Sequence, residues 1–254
     1  MASKRTDSNV YTIIFAIIMV VVVGALLAFV ATVLKPTITE NQRIEKQQSI
    51  LYALGVNNND SPNSIVFIPA TEASDAFKKY IVKQYIIQGN EITENDEAYL
   101  IELATEENLA KKPNYQKRLP VFVGEKDGKT LYIIPMRGKG LWDAIWGFMS
   151  LDENFIVQGV FFDHAGETPG LGSNIQERYF MDDYIGEHIF DKDGNLVGIA
   201  SVKGNNDPLN LRKEDNKVDA LAGATITVGG VTAMIRKYLR EYVPHLEKII
   251  NESK

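Results

Sequence analysis

Residues 121–134 read VFVGEKDGKTLYII, two apolar runs rich in β-branched and aromatic residues on either side of Asp127-Gly128. That dipeptide suits the two-residue turn whose twist matches a pair of antiparallel strands, so the stretch predicts a β-hairpin. Similar pairs follow. The runs 148–151 and 155–162 flank 152–154, and Asp193-Gly194 separates 189–190 from 196–202. Helical patterns interrupt these pairs at 72–85 and at 174–190, the latter with Tyr179, Phe180 and Tyr184 inside. A last helix carries Val231, Met234, Ile235, Tyr238, Leu239 and Tyr242 at helical spacing and is expected to stop near Pro244. Hairpins interrupted by helices, without regular βαβ units, indicate an α+β domain of hairpins packed with helices.

Working back towards the N-terminus, 90–118 is charged and weakly patterned, and reads as irregular or partly extended. NNNDSPNS, at 57–64, is a breaker-rich loop. Residues 37–55 form a helix-prone stalk in which Ile44, Ile50, Leu51 and Leu54 share a face. Before it, 10–34 reads VYTIIFAIIMVVVVGALLAFVATVL, without a charged residue. At about 1.5 Å rise per residue this run exceeds the roughly 30 Å hydrocarbon core of a bilayer. It is apolar on all faces, unlike a core helix, and longer than the roughly 7–15 residues of a signal-peptide core. It is a transmembrane helix, closed by Lys35 and Pro36. Lys4 and Arg5 precede it while Lys35, Arg43 and Lys46 follow it, so the charges leave its orientation open. The expected division is a short N-terminus at 1–9, a span at 10–35, a stalk and helical region at 36–118, and the domain of hairpins and helices at 119–254.

The net charge of −6, with no basic block, argues against a nucleic-acid partner. The chain has no cysteine, which excludes disulfides, thiolate iron–sulfur ligation and cysteine-based zinc sites. Its histidines, His164, His188 and His245, are dispersed, so no metal site is expected. No Ser-His-Asp spacing, Walker loop or GxGxxG fingerprint is present, and no catalytic residue is assigned.

Four segments are rich in glycine, aromatic or hydroxyl residues: RGKGLWDAIW (137–146), HAGETPGLG (164–172), the turn at Lys203-Gly204, and DALAGATIT (219–227). In the last, Gly223 with the small Ala222 and Ala224 lets another group approach the backbone. Thr225 and Thr227 stand where a helix begins. There, unpaired N–H groups and the positive end of the helix dipole suit a phosphate, and a threonine equally suits an ordinary N-cap. Trp142 and Trp146, the two tryptophans of the chain, suit either a planar ligand or a core.

The segment 219–225 matches the D-x-x-[ST]-G-A-T pattern at which flavin transferases attach FMN to threonine, with Ala222 where Ser or Thr is usual. With the N-terminal span, GKGLWDAIWGFMSLD (138–152) and GETPGLG (166–172), the chain resembles the C-subunit of the sodium-translocating NADH:quinone oxidoreductase. The G-subunit of the Rnf complex is a close relative and the alternative. A non-redox, membrane-tethered assembly module is a further one.

The resemblance implies an FMN-binding domain at 119–254, with FMN joined through its phosphate to Thr225. Ala222, Gly223, Ala224 and Thr227 would line the phosphate. Leu141, Trp142 and Trp146 would wall the ring on one side, and Glu167, Thr168, Gly170 and Leu171 on another, with Lys203 offsetting negative charge. It further implies a single-pass protein of the bacterial inner membrane, with a cytoplasmic N-terminus and a periplasmic domain. The partners would be a flavin transferase and the other subunits of a membrane-bound NADH:quinone oxidoreductase. The chain would be an electron relay towards quinone within that enzyme. Sodium transport would belong to the assembly, since the span has no ionisable residue.

Overall fold

A computed structural model describes residues 9–61, 63–207 and 209–252. Lys4, Arg5 and nearly all of the expected 1–9 segment lie outside the described residues. The chain divides into two compact units, one up to Arg43 and one from Ile44 onward.

Helix α1 runs from Asn9 to Ala53. Its first part is long and apolar enough to cross a membrane, and its large apolar side chains, from Val10 to Leu34, are exposed. Pro36 does not close the helix as expected but lies inside it. A proline removes one helical hydrogen bond, and on either side of this one the hydroxyls of Thr32 and Thr39 donate to the carbonyls of Ala28 and Lys35. The predicted stalk helix is therefore a continuation of the span, and its last turns bury Ile50, Leu51 and Ala53 within the second unit.

The second unit contains α2 (Ala70–Tyr80), β1 (Ile81–Gln88), β2 (Glu91–Glu94), α3 (Leu103–Leu109), β3 (Arg118–Lys126) and β4 (Lys129–Lys139). It continues with β5 (Ala144–Leu151), β6 (Val157–His164), α4 (Arg178–Met181), β7 (Ala200–Val202), β8 (Lys217–Asp219) and α5 (Thr225–Glu252). Six strands form an antiparallel sheet in the order β2-β1-β3-β4-β5-β6. The hairpin at Asp127-Gly128 is present, and positive φ angles at both residues (52° and 75°) give the turn the hand that paired strands require. The α+β expectation holds. The sheet takes strands from both sides of position 119, since β1 pairs with β3.

Glycines set how closely helices lie on the sheet. On one face, a Cβ at Gly230 of α5 would fall 2.2 Å from the Lys139 carbonyl oxygen and 3.3 Å from Ile145 Cδ1. On the other, a Cβ at Gly159 would fall 2.4 Å from the carbonyl oxygen of Ala53. Ser150 donates to the same carbonyl at 2.6 Å. Because Ile145 and Ser150 lie an odd number of residues apart on β5, they point to opposite faces. The sheet is thus covered by α5 on one side and the end of α1 on the other.

Several expected boundaries are corrected. The helix at 72–85 ends at Tyr80, because the β-branched residues that follow pair with β3. The region 90–118 is more ordered than expected and includes β2 and α3. The helix expected at 174–190 is a series of short turns around α4, with Gly186 at φ +86°. Its aromatic periodicity reflects edge-to-face packing of Phe162, Phe180 and Tyr184 in the core. The hairpin between 189–190 and 196–202 reduces to one bridge, Phe190 with Leu196, and β7 instead pairs in parallel with β8. Pro244 does not stop α5, which continues because Leu246, Ile249 and Ile250 extend its buried stripe.

Candidate functional site

Thr225 is the first residue of α5 and is exposed. The turn before it depends on Gly223, whose φ of +74° is costly for residues with a Cβ. A Cβ there would also lie 2.8 Å from Leu171 Cδ2, so the GETPGLG loop rests directly on the start of the helix. Ala224 is buried and accepts the first helical hydrogen bond, from Val228 N–H at 3.0 Å. The first-turn N–H groups of a helix have no intrahelical acceptor and carry the positive end of its dipole. A phosphate on Thr225 Oγ1 would sit at that end.

Two positions later the environment inverts. Thr227 is 1% exposed, and its hydroxyl donates to Glu167 Oε2 at 2.5 Å. The other oxygen of Glu167 accepts the Trp142 N–H at 2.9 Å. Burial pushes the Glu167 carboxyl upward, but the bonds from Thr227 and the Trp142 and Asp143 N–H groups, with the field of His164, hold it below its ordinary value. Nδ1 of His164 accepts the Glu167 N–H at 3.2 Å. Trp142 Nε1–H donates to Thr168 Oγ1 at 3.1 Å, linking the same two loops at the surface. Thr168 in turn closes a tight turn through its carbonyl, which accepts from Leu171 and Ser173, with Gly170 at φ +75°.

Three of the four segments thus meet around Glu167. Leu141, Trp142, Leu171 and Ile226, on these three segments, are all exposed, by 45%, 67%, 43% and 62%. Exposed apolar side chains on segments that converge at a helix N-terminus fit a planar apolar group tethered through a phosphate. Lys203 follows β7 and is exposed. Its strand is joined to the 219–227 segment by the Ala220 N–H bond to the Val202 carbonyl and to α5 by the Ser201 N–H bond to Thr232 Oγ1, both 3.0 Å.

Trp146 stands apart. It neighbours Ile145, which faces α5, and therefore lies on the opposite face, paired with Arg137 and Asp163. Glu167 also differs from expectation, since both of its oxygens are engaged by the protein. Sequence reasoning missed Ile226, whose exposure follows only from its rotation on α5. It also missed Gly140 and Gly172, where a Cβ would fall 2.4 Å from a Glu167 oxygen. Their signal was glycine at places where no turn demands positive φ.

The family described as FMN-binding domain matches residues 140–240. The chain is 30% identical to the C-subunit of the Na(+)-translocating NADH-quinone reductase of Pseudomonas aeruginosa over 250 residues, covering 92% of both chains. The protein of the same name from Neisseria meningitidis serogroup B is 29% identical, with 97% of each chain covered. A crystal structure of the same-named protein from Parabacteroides distasonis superposes with a TM-score of 0.68 at 30% identity, covering 83% of this chain and 95% of that one. The crystal structure of NqrC from Shewanella oneidensis gives 0.59 at 25% identity, covering 77% and 91%.

Proposed function

Because this chain belongs to the C-subunit family of the Na(+)-translocating NADH-quinone reductase, we propose that it is a membrane-anchored electron relay with FMN joined through its phosphate to Thr225 Oγ1. The observation that carries this reading is the position of Thr225, an exposed hydroxyl at the first residue of α5 beside exposed apolar side chains. The bound flavin supplies the redox chemistry, and the chain supplies its position and surroundings.

In this reading the phosphate rests on the first turn of α5 and on the 222–224 backbone. Leu141, Trp142, Leu171 and Ile226 flank the ring, and Thr168 and Gly170 shape the loop that carries Leu171. Lys203 offsets negative charge from the neighbouring strand. Trp146, across the sheet, has no role at the ring.

The span ties the protein to its complex in the bacterial inner membrane, with residues 1–9 cytoplasmic and the FMN-binding domain, 119–254, on the periplasmic side. A flavin transferase attaches the cofactor there. Electrons pass between neighbouring redox subunits towards quinone, and sodium movement belongs to the assembly. The relatives that match over nine-tenths of the chain bear the name of the Na(+)-translocating reductase, which favours this complex over an Rnf-type one.

Co-expression with a flavin transferase tests the attachment. The wild-type polypeptide should fluoresce as a flavin on a denaturing gel, and Thr225→Ala should be dark. A dark wild-type band beside a fluorescent control acceptor contradicts the proposal. Protease access to the domain in intact spheroplasts tests the sidedness.

A further inference from the structure

We infer that Glu167 is a positioning residue for the flavin. Touching no cofactor atom, it bolts the Leu141-Trp142 loop and its own loop, which carries Leu171, to the first turn of α5. The inference rests on the proposed attachment at Thr225 only in naming what the fixed wall holds.

The geometry is that of a bolt. Glu167 is 5% exposed and sits beneath the loops whose apolar tips are open to solvent. Oε2 takes the hydroxyl of Thr227, two residues beyond the attachment point, and Oε1 takes the backbone N–H of Trp142. Gly140 and Gly172 bring their backbones against the two oxygens so closely that a Cβ on either would lie 2.4 Å from one of them. Three chain segments far apart in sequence are therefore held by one carboxylate. An ionised carboxylate is buried stably only where donors satisfy it, so its removal leaves those donors without an acceptor.

Glutamine and alanine separate geometry from charge. In Glu167→Gln the amide oxygen can still accept from Trp142 and the amide nitrogen can donate to Thr227 Oγ1, so the wall survives while the negative charge is lost. In Glu167→Ala the acceptor is lost for Thr227 and for the Trp142 and Asp143 N–H groups alike. Thr227→Val removes one donor and leaves the carboxylate in place.

The test compares flavinylated full-length wild type with Glu167→Ala, Glu167→Gln and Thr227→Val. Attachment is read as flavin fluorescence per polypeptide after denaturation, and ring immobilisation as native flavin anisotropy and visible circular dichroism. Equal attachment is expected in all four. Glu167→Ala should lose most of the visible dichroism, with anisotropy falling towards the unfolded value, and Thr227→Val should lose part. Glu167→Gln should keep both signals and raise the flavin midpoint potential, because a nearby negative charge no longer opposes reduction.

Wild-type dichroism and anisotropy in Glu167→Ala would overturn the inference. So would their loss in a folded Glu167→Gln, the arm that decides if the alanine variant does not fold. Protein made without a flavin transferase gives a readout independent of attachment. Amide exchange at residues 140–143 should accelerate in Glu167→Ala or, if that variant is unfolded, in Thr227→Val, and not in Glu167→Gln. Unchanged exchange in the folded variants would also overturn it. A wild type without covalent flavin contradicts the attachment at Thr225 and leaves this exchange test standing.

Discussion

Thr227 Oγ1 donates to Glu167 Oε2 at 2.5 Å across sixty residues of sequence. The bond joins the first turn of the last helix to the loop after β6, and it divides the two threonines of the 219–227 segment into different tasks. Thr225 faces solvent at the helix end, whereas Thr227 is consumed by the core. The first-turn position makes the pair favourable, since a carboxylate close to a helix N-terminus also meets the positive end of the dipole.

Replacing Thr227 with alanine should therefore cost about 1–3 kcal/mol, because one oxygen of a buried carboxylate is left unsatisfied. Covalent flavin on Thr225 should persist. Chemical denaturation and in-gel fluorescence of the same preparation check the two halves. The Glu167 carboxyl, held low in the folded state, contributes stability that is present above the ordinary carboxylate range and lost on acidification. Thr227→Ala should weaken that acid-side loss.

Gly223→Ala should destabilise the domain by about 1–2 kcal/mol from the left-handed backbone alone. The contact with Leu171 adds to this, since the new Cβ would lie 2.8 Å from Cδ2. Thermal unfolding measures the loss, and a lower flavin content per polypeptide is expected, because the strained turn leads directly into Thr225.

Glu187 gives a pH dependence of the opposite sign. It is fully buried, accepts from Asn210 Nδ2 at 2.9 Å, and has its other oxygen unpartnered among the described residues. Burial raises its pKa to about 7, against the pull of Asn210 and Lys213, with Asp215 and Asp207 adding to the rise. A raised folded-state value means that the stabilisation is present below the ordinary carboxylate range, declines as pH rises, and is gone above about 7. Asp183, raised to about 6 chiefly by burial, acts in the same direction. Denaturant midpoints should fall between about pH 4 and 7, and Glu187→Gln should flatten that fall.

Gly159→Ala tests the opposite face of the sheet. Its Cβ would meet the Ala53 carbonyl oxygen at 2.4 Å, and backbone cannot move aside as a side chain can. Overpacking of this kind costs about 1–3 kcal/mol. Fluorescence-detected unfolding of the domain should show the loss, with flavin attachment retained because Thr225 lies at α5, across the sheet.

The sequence made the sheet legible wherever turn chemistry was local. Asp127-Gly128 and the residues after Leu151 announced their hairpins, and the charge-free run at 10–34 announced the long helix. It misled where tertiary packing overrode local signals. Pro36 and Pro244 both lie inside helices, and at Pro244 the apolar stripe on either side outweighs the lost bond. Phe180 and Tyr184 read as a helix because core packing at short turns imitates helical spacing. At the site, the segments themselves were readable but their juxtaposition was not. Nothing local states that Gly140, Gly172 and Thr227 converge on Glu167, or that strand alternation turns Trp146 away from α5.

The central claim is a phosphoester on one particular hydroxyl. Mass spectrometry of the tryptic peptide spanning 218–236, from protein co-expressed with a flavin transferase, tests it most directly. The predicted result is a peptide heavier by one FMN less water, with fragment ions placing the addition on Thr225 and leaving Thr227 and Thr232 unmodified. An unmodified peptide, or the addition on any other residue, would contradict it.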